Sequence, residues 1–177
     1  LSFEPGPVSF GLLRRNVYSN KLHSNIVISD IAISDFNGTA PLFINLNGES
    51  DNQIHKNLDI YNFRAEAERP KFFVKTITID SYLKRKKINI SDISFVKIDT
   101  QGHDLAVLIG GSSLFKNSKK IAVLCEFCPY LKAWEKQSID EFYDILISFG
   151  FDVYDDSNLS AGIINVDYLK NNYGFDK

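Results

Sequence analysis

The chain has 177 residues, 44% of them apolar and 24% charged, with a formal net charge of -2; this balance is ordinary for one soluble globular domain with a sizeable core. It excludes the basic field that a nucleic-acid or membrane-surface binder would carry, and no apolar run is long enough to span a bilayer or to act as a signal peptide. Two cysteines cannot build a disulfide framework, so a reducing, cytoplasmic setting is expected.

In chain order, Leu1-Ser2-Phe3 reads as the end of a strand, and Glu4-Pro5-Gly6-Pro7 as a turn with Pro7 at a favourable first helical position. Val8, Phe10, Leu12, Leu13 and Val17 predict an amphipathic helix from Val8 to Tyr18. Ile26-Val27-Ile28 is a β-branched strand, Asp35 to Gly38 a turn, and Leu42 to Leu46 a second short strand. Residues 47–70 are polar and weakly patterned, as expected of a lid or mobile insertion. Phe72 to Ile79 alternates as a strand and ends at Asp80, an N-cap for a helix through Lys86. The basic run Lys84 to Lys87 then suits that helix's C-terminal end.

Phe95 to Ile98 is an apolar strand interrupted at Lys97, followed by a helix from His103 to Phe115 that Gly110-Gly111 weakens or ends. Ile121 to Phe127 is again a buried type of strand. Ser138-Ile139-Asp140-Glu141 is a capping box opening a helix that Gly150 stops. Phe151 to Tyr154 and Gly162 to Val166 read as two antiparallel closing strands. Alternation of strands and helices predicts an α/β domain over residues 1–177, with a mostly parallel sheet covered on both faces and an antiparallel closing strand.

Such sheets bind ligands beyond the carboxyl ends of their strands. Glu4 stands at one such end, where a carboxylate can accept from both hydroxyls of a ribose; an acid before a proline-rich turn is more often simply solvated. The segment Val96 to Leu105 runs from an apolar strand through Gly102 directly into a helix, which gathers Asp99, Gln101, His103 and Asp104 at one corner. Helix amides there carry partial positive charge, which favours a neutral histidine able to act as a base. The other reading is that Asp99 and Asp104 cap the helix while His103 lies on its surface.

Other signals carry less. Cys125-Glu126-Phe127-Cys128 is formally C-x-x-C, but zinc needs about four ligands and no second pair exists. His23 and His55 are isolated. Tyr130 and Trp134 follow the strand that bears Glu126 and suit either a stacking wall for a sugar or packing under a loop.

Several of these segments together resemble the FkbM methyltransferase family. Phe3-Glu4-Pro5-Gly6-Pro7, Asn16-Val17 and Ala32-Ile33-Ser34-Asp35 with Gly38 are similar to its F-E-P-x-P, N and A-L-S-D-x-x-G elements. Thr78 to Leu83 resembles its T-L-D-x-L segment. Val96 to Leu105, continuing to Gly111, resembles its K-I-D-x-x-G-x-E-x-x-V-L-x-G-A signature, with Asp104 where glutamate is common and Gly111-Ser112 in place of Gly-Ala. Glu126 falls where the family has a glutamate, and Phe149-Gly150-Phe151 with Tyr154 resembles its closing G-F-x-x-Y.

The resemblance implies a Rossmann-like methyltransferase fold and S-adenosylmethionine as cofactor. Glu4 would hold the ribose, Ile33 and Ser34 would line the adenine, and Asp99 with Gln101 would lie beside the methyl-donor end. The expected acceptor is a hydroxyl of a sugar, glycan or related natural product, with Asp99, His103 and Glu126 as candidate bases and no metal. The family's first strand and its D-x-G-x-N-x-G loop are expected before Phe3 and are absent from this chain. Two alternatives are a degenerate domain serving as a non-catalytic interaction module, and a domain for another nucleotide cofactor, for which no G-x-G-x-x-G is present.

Overall fold

The computed structural model describes residues 1–44, 53–54, 70–118, 120–127 and 138–173. They form a mixed α/β arrangement of helices and small sheets. The strands are β1 (Ser2–Phe3), β2 (Ile28–Ser29), β3 (Ala32–Ile33), β4 (Gly38–Phe43), β5 (Gln53–Ile54), β6 (Lys71–Ile77), β7 (Phe95–Ile98) and β8 (Ala122–Cys125). The helices are α1 (Pro7–Ser19), α2 (Ile79–Lys86), α3 (Asp104–Gly110), α4 (Ser112–Asn117), α5 (Ile139–Ser148) and α6 (Val166–Tyr173).

The strands fall into three ladders: β1-β2, β3-β6-β4-β5 and β7-β8. Pairing is parallel in β1/β2, β3/β6 and β7/β8 and antiparallel in β4/β6 and β4/β5. The principal antiparallel element therefore lies early in the chain, where Gly38 to Phe43 pairs with Thr76 back to Lys71. At the expected closing strands the structure has an isolated antiparallel bridge, Tyr154 to Ile163. Most of the expected lid, residues 47–70, lies outside the described residues; within it, β5 pairs with β4.

Local chemistry accounts for the element ends. Pro7 opens α1 after Gly6, as expected from its fixed φ. The anticipated apolar face of α1 is only partly used: Val17 is buried, whereas Val8 and Leu12 are exposed. Helix α2 is capped by Thr78, whose hydroxyl accepts from the Ser81 amide at 3.0 Å, and not by Asp80 as expected. Asp80 instead reaches across to the start of α4, where its carboxylate accepts from the amides of Ser113 at 2.8 Å and Leu114 at 3.0 Å. An acid in the first turn of one helix thus caps another, satisfying two donors that α4 leaves open.

The basic run closes α2 as expected, with Lys87 in the left-handed region at φ 55°. The single helix expected from His103 to Phe115 is two, α3 and α4, divided at Gly111. Ser138 caps α5 by accepting from the Glu141 amide at 2.9 Å, and Gly150 ends it at φ 85°.

The principal core joins Ile33, Ile77 and Ile98 to the inner faces of α2, α3, α4 and α5. Leu108, Leu114 and Phe115 at its centre are at most 1% exposed, and burial of each stabilises the fold by roughly 1.5–3 kcal/mol. Ala32, Ala40, Leu42, Ile54 and Val74 form a second cluster on the β3-β6-β4-β5 sheet.

Helix α6 is an element that the sequence reading did not anticipate; it begins at Val166, where the expected strand from Gly162 ends. Asp155 anchors it. The carboxylate accepts from the Ser157 amide and hydroxyl and from the hydroxyls of Tyr173 and Tyr168, at 2.6–2.9 Å. The Ser157 bond, then that of Tyr173, holds its carboxyl down at about 2. Contacts this far apart in sequence have no periodic signature.

Candidate functional site

The corner between β7 and α3 brings together three of the expected site residues. After Ile98 the chain turns through Gln101 at φ 52° and Gly102 at φ 91°. Glycine tolerates such a φ, whereas for Gln101 it costs about 1 kcal/mol. The turn brings the Gln101 amide to two acids: its Nε2 donates to Asp99 Oδ1 at 3.2 Å and to Glu126 Oε2 at 3.3 Å. Glu126 follows β8, and its own amide donates to the Ile98 carbonyl at 3.1 Å. Two strand ends thus present two carboxylates joined by one side-chain amide.

Lys97 is part of this site, although the sequence showed it only as an interruption in an apolar strand. Its Nζ donates to Asp99 Oδ2 at 2.9 Å. The pair is exposed, with side chains 59% and 46% accessible, so it adds little stability. Its consequence is local: the Lys97 bond lowers the Asp99 carboxyl below its ordinary range, and the Lys97 ammonium is raised by the same contact. Asp99 is accordingly ionised at neutral pH and suited to hold a cation or to orient a hydroxyl.

His103 immediately precedes α3 and is 1% exposed. Its Nε2 lies 3.0 Å from Ser34 Oγ, and the Ser34 hydroxyl donates to Asp35 Oδ1 at 3.1 Å. With the serine proton directed to Asp35, the bond from His103 requires a proton on Nε2. The expected base is therefore found beneath the corner, tying α3 to the segment after β3. Ser34 is itself fully buried, and Ile33 beside it is 9% exposed.

Asp104 lies still deeper, at 3% exposure. Thr100 donates its hydroxyl to Oδ2 at 3.0 Å, while Oδ1 has no hydrogen-bond partner among the described residues. Burial pushes this carboxyl up to about 6; the Thr100 bond opposes the shift and Glu126 adds to it. The neutral form is thus favoured by folding. Its stabilisation is fully present below the unfolded carboxyl's pKa of about 4 and is lost as pH rises through about 6. Relative to Asp104→Asn, the wild-type protein should lose on the order of 2 kcal/mol between about pH 4 and pH 7. Urea titrations of both proteins at the two pH values measure this, and a constant difference would remove Asp104 as the source.

Glu4 follows β1. Its Oε1 accepts from the Gly6 amide at 2.7 Å, which fixes the carboxylate across the turn into α1. A cavity of about 1000 Å³ runs between β1 and β7, and Glu4, Ile33, Asp99, Gln101 and His103 all contribute to its lining. Glu126 joins this group through Gln101.

Of the remaining signals, Cys125 and His23 are described, and neither lines the cavity. Burial pushes the Cys125 thiol up to about 12, which makes it a poor nucleophile. Cys128, His55, Tyr130 and Trp134 lie outside the described residues. His23 is exposed and stacks on Tyr18, ring centroids 5.3 Å apart. Among the described residues, no group of three or more His, Cys, Asp or Glu is placed to hold a metal ion, and no helix is long and apolar enough to cross a membrane.

In comparison with known proteins, the family model described as the methyltransferase FkbM domain matches residues 1–153. No curated protein and no solved structure matches the chain significantly.

Proposed function

The chain belongs to the FkbM methyltransferase family, and from that premise we propose that it is an S-adenosylmethionine-dependent O-methyltransferase acting on a hydroxyl of a sugar, glycan or related natural product. The observation that carries this reading is the common cavity lined by Glu4 after β1 and by Asp99 and Gln101 after β7. Ligand sites of parallel α/β folds lie at such strand ends. The three small ladders are read as parts of one Rossmann-like sheet.

The residues present fit the cofactor's chemistry. Glu4, held by the Gly6 amide, is a carboxylate acceptor for the paired hydroxyls of a ribose. Ile33, which lines the cavity, supplies an apolar wall for a purine; Ser34 beside it is fully buried and supports that wall from behind. Asp99, kept ionised by Lys97, offers negative charge to an ammonium or sulfonium. The cofactor, when bound, supplies an activated methyl group.

This chain's own side chains then have three tasks. Gln101 holds the Asp99 and Glu126 carboxylates in a fixed relation, so that an acceptor hydroxyl can be oriented at near-attack distance. Glu126 is the better candidate to take the hydroxyl proton, because Asp99 is engaged with Lys97 and its basicity is reduced. His103 works from beneath as a positioning residue, fixing Ser34 and the start of α3.

Isothermal titration of the full-length protein with S-adenosylhomocysteine is expected to give saturable heat, with affinity reduced about tenfold or more in Glu4→Ala. Absence of heat at millimolar ligand would favour a non-catalytic interaction module instead.

A further inference from the structure

Helix α6 starts beyond residue 153, the last that the family model matches, and no α6 residue lines the cavity. It nevertheless touches the residue next to Glu126. Glu126 and Phe127 follow each other at the end of β8 but have different neighbours. Glu126 accepts from Gln101 Nε2 at 3.3 Å. The Phe127 ring packs against α5 and α6, its centroid 5.4 Å from that of Phe142 and 6.0 Å from that of Tyr173. The Tyr173 contact is edge to face, with an interplanar angle of 85°, an arrangement that aromatic pairs favour and that constrains orientation as well as distance. The Glu126 amide is tied to the Ile98 carbonyl at 3.1 Å, so a shift of Phe127 passes to the Glu126 side chain through a single peptide unit.

Tyr173 is itself held in place. Its hydroxyl donates to Asp155 Oδ2 at 2.7 Å, the oxygen that the Tyr168 hydroxyl reaches at 2.9 Å. The amide and hydroxyl of Ser157 donate to Oδ1 of the same carboxylate, at 2.9 and 2.6 Å. Hydrogen bonds to an ionised acceptor are stronger than neutral ones, and Asp155 is only 9% exposed. Leu169, one turn before Tyr173 on the same face of α6, is buried. The Tyr143 hydroxyl of α5 donates to the Ile164 carbonyl at 3.1 Å, and Lys170 pairs with Asp140 of α5. A helix of eight residues is not stable by itself in water; these ties dock it on α5 and aim Tyr173 at Phe127.

We propose that Tyr173 is a positioning residue for Glu126, acting through the ring of Phe127. The inference rests on the reading of Glu126 as the group that takes the acceptor's proton. The bonds from Gln101 to Asp99 and Glu126, at 3.2 and 3.3 Å, lie at the long end of the ordinary range and tolerate little further displacement. Misplacement on the order of 1 Å at a reacting group costs about 100-fold in rate. A ring that fixes Phe127 therefore guards the relation between the two carboxylates from outside the cavity.

The test is made on the chain as it stands, without ligand, by NMR relaxation of the Gln101 Nε2 group. Its order parameter is expected to lie above about 0.6 in the wild type and to fall below that in Tyr173→Ala. Tyr173→Phe keeps the ring and loses only the bond to Asp155, and is expected to recover most of the loss. Phe127→Leu is expected to lower the value as far as Tyr173→Ala does, and the double variant no further, because both act through one contact. The backbone amide of Leu108, fully buried in the principal core, is expected to stay near about 0.85 in every variant. The proposal is overturned if Gln101 is already mobile in the wild type or unchanged in Tyr173→Ala, if Tyr173→Phe recovers nothing, or if the two losses add. Loosening of Leu108 alongside Gln101 also overturns it, since α6 would then only cover the core. No ligand enters these measurements, so their failure is distinct from failure of the S-adenosylhomocysteine titration.

Discussion

Gly110→Ala is expected to destabilise the protein by roughly 3–5 kcal/mol, a large part of the total for a domain of this size. In most helices the same exchange stabilises by up to about 1 kcal/mol, because alanine loses less backbone entropy. Here a Cβ on Gly110 would stand 2.0 Å from the Ser34 carbonyl oxygen and 2.9 Å from its carbon. Neither partner can yield easily. The Ser34 amide donates to the Ile77 carbonyl at 3.0 Å, and its hydroxyl is bonded to His103. Helix α3 would have to move outward and take the fully buried Leu108 with it, and overpacking of this kind is costly. Gly11→Ala is the control: it too is a helical glycine, but its Cβ would meet nothing within 4 Å, so a gain of about 0.5–1 kcal/mol is expected there. Urea unfolding of the three proteins measures the contrast, and similar midpoints for both variants would refute the close approach.

Asp99→Asn in the full-length protein is expected to reduce methyl transfer by about 100-fold or more while leaving the thermal midpoint within a few degrees of wild type. The side chain is nearly half exposed and its ion pair with Lys97 adds little to stability, so loss of folding is not the expected cause of loss of activity. Glu126→Gln is expected to cost activity as well, and its loss should diminish as pH rises and the acceptor ionises unaided. His103→Ala separates position from proton transfer. It empties a buried site and removes the proton donor from Ser34, so a stability loss of about 1–3 kcal/mol should accompany any loss of rate. Wild-type single-turnover rates in both Asp99→Asn and Glu126→Gln would remove the carboxylate pair from the mechanism.

The sequence by itself determined the features that are local. The strand–glycine–helix pattern from Val96 to Leu105, the cap at Ser138 and the stop at Gly150 follow from preferences within a few residues, and each is found near its expected place. The ordered motifs were enough to indicate the family that the match over residues 1–153 establishes. Tertiary structure decided what depends on residues distant in the chain. Asp80 looked like a cap for its own helix and caps α4, because Ser113 and Leu114 are brought to it. Gly110 looked like a weak point in a helix and is the place where that helix meets the Ser34 backbone. Lys97 looked like a flaw in a strand and sets the charge of Asp99. His103 was expected at an open corner with Asp99 and is buried against a serine that lies 69 positions earlier in the chain. Periodicity and capping report the few residues around a position; burial and hydrogen-bond partners are set by which surfaces the fold presses together, and no local pattern records them.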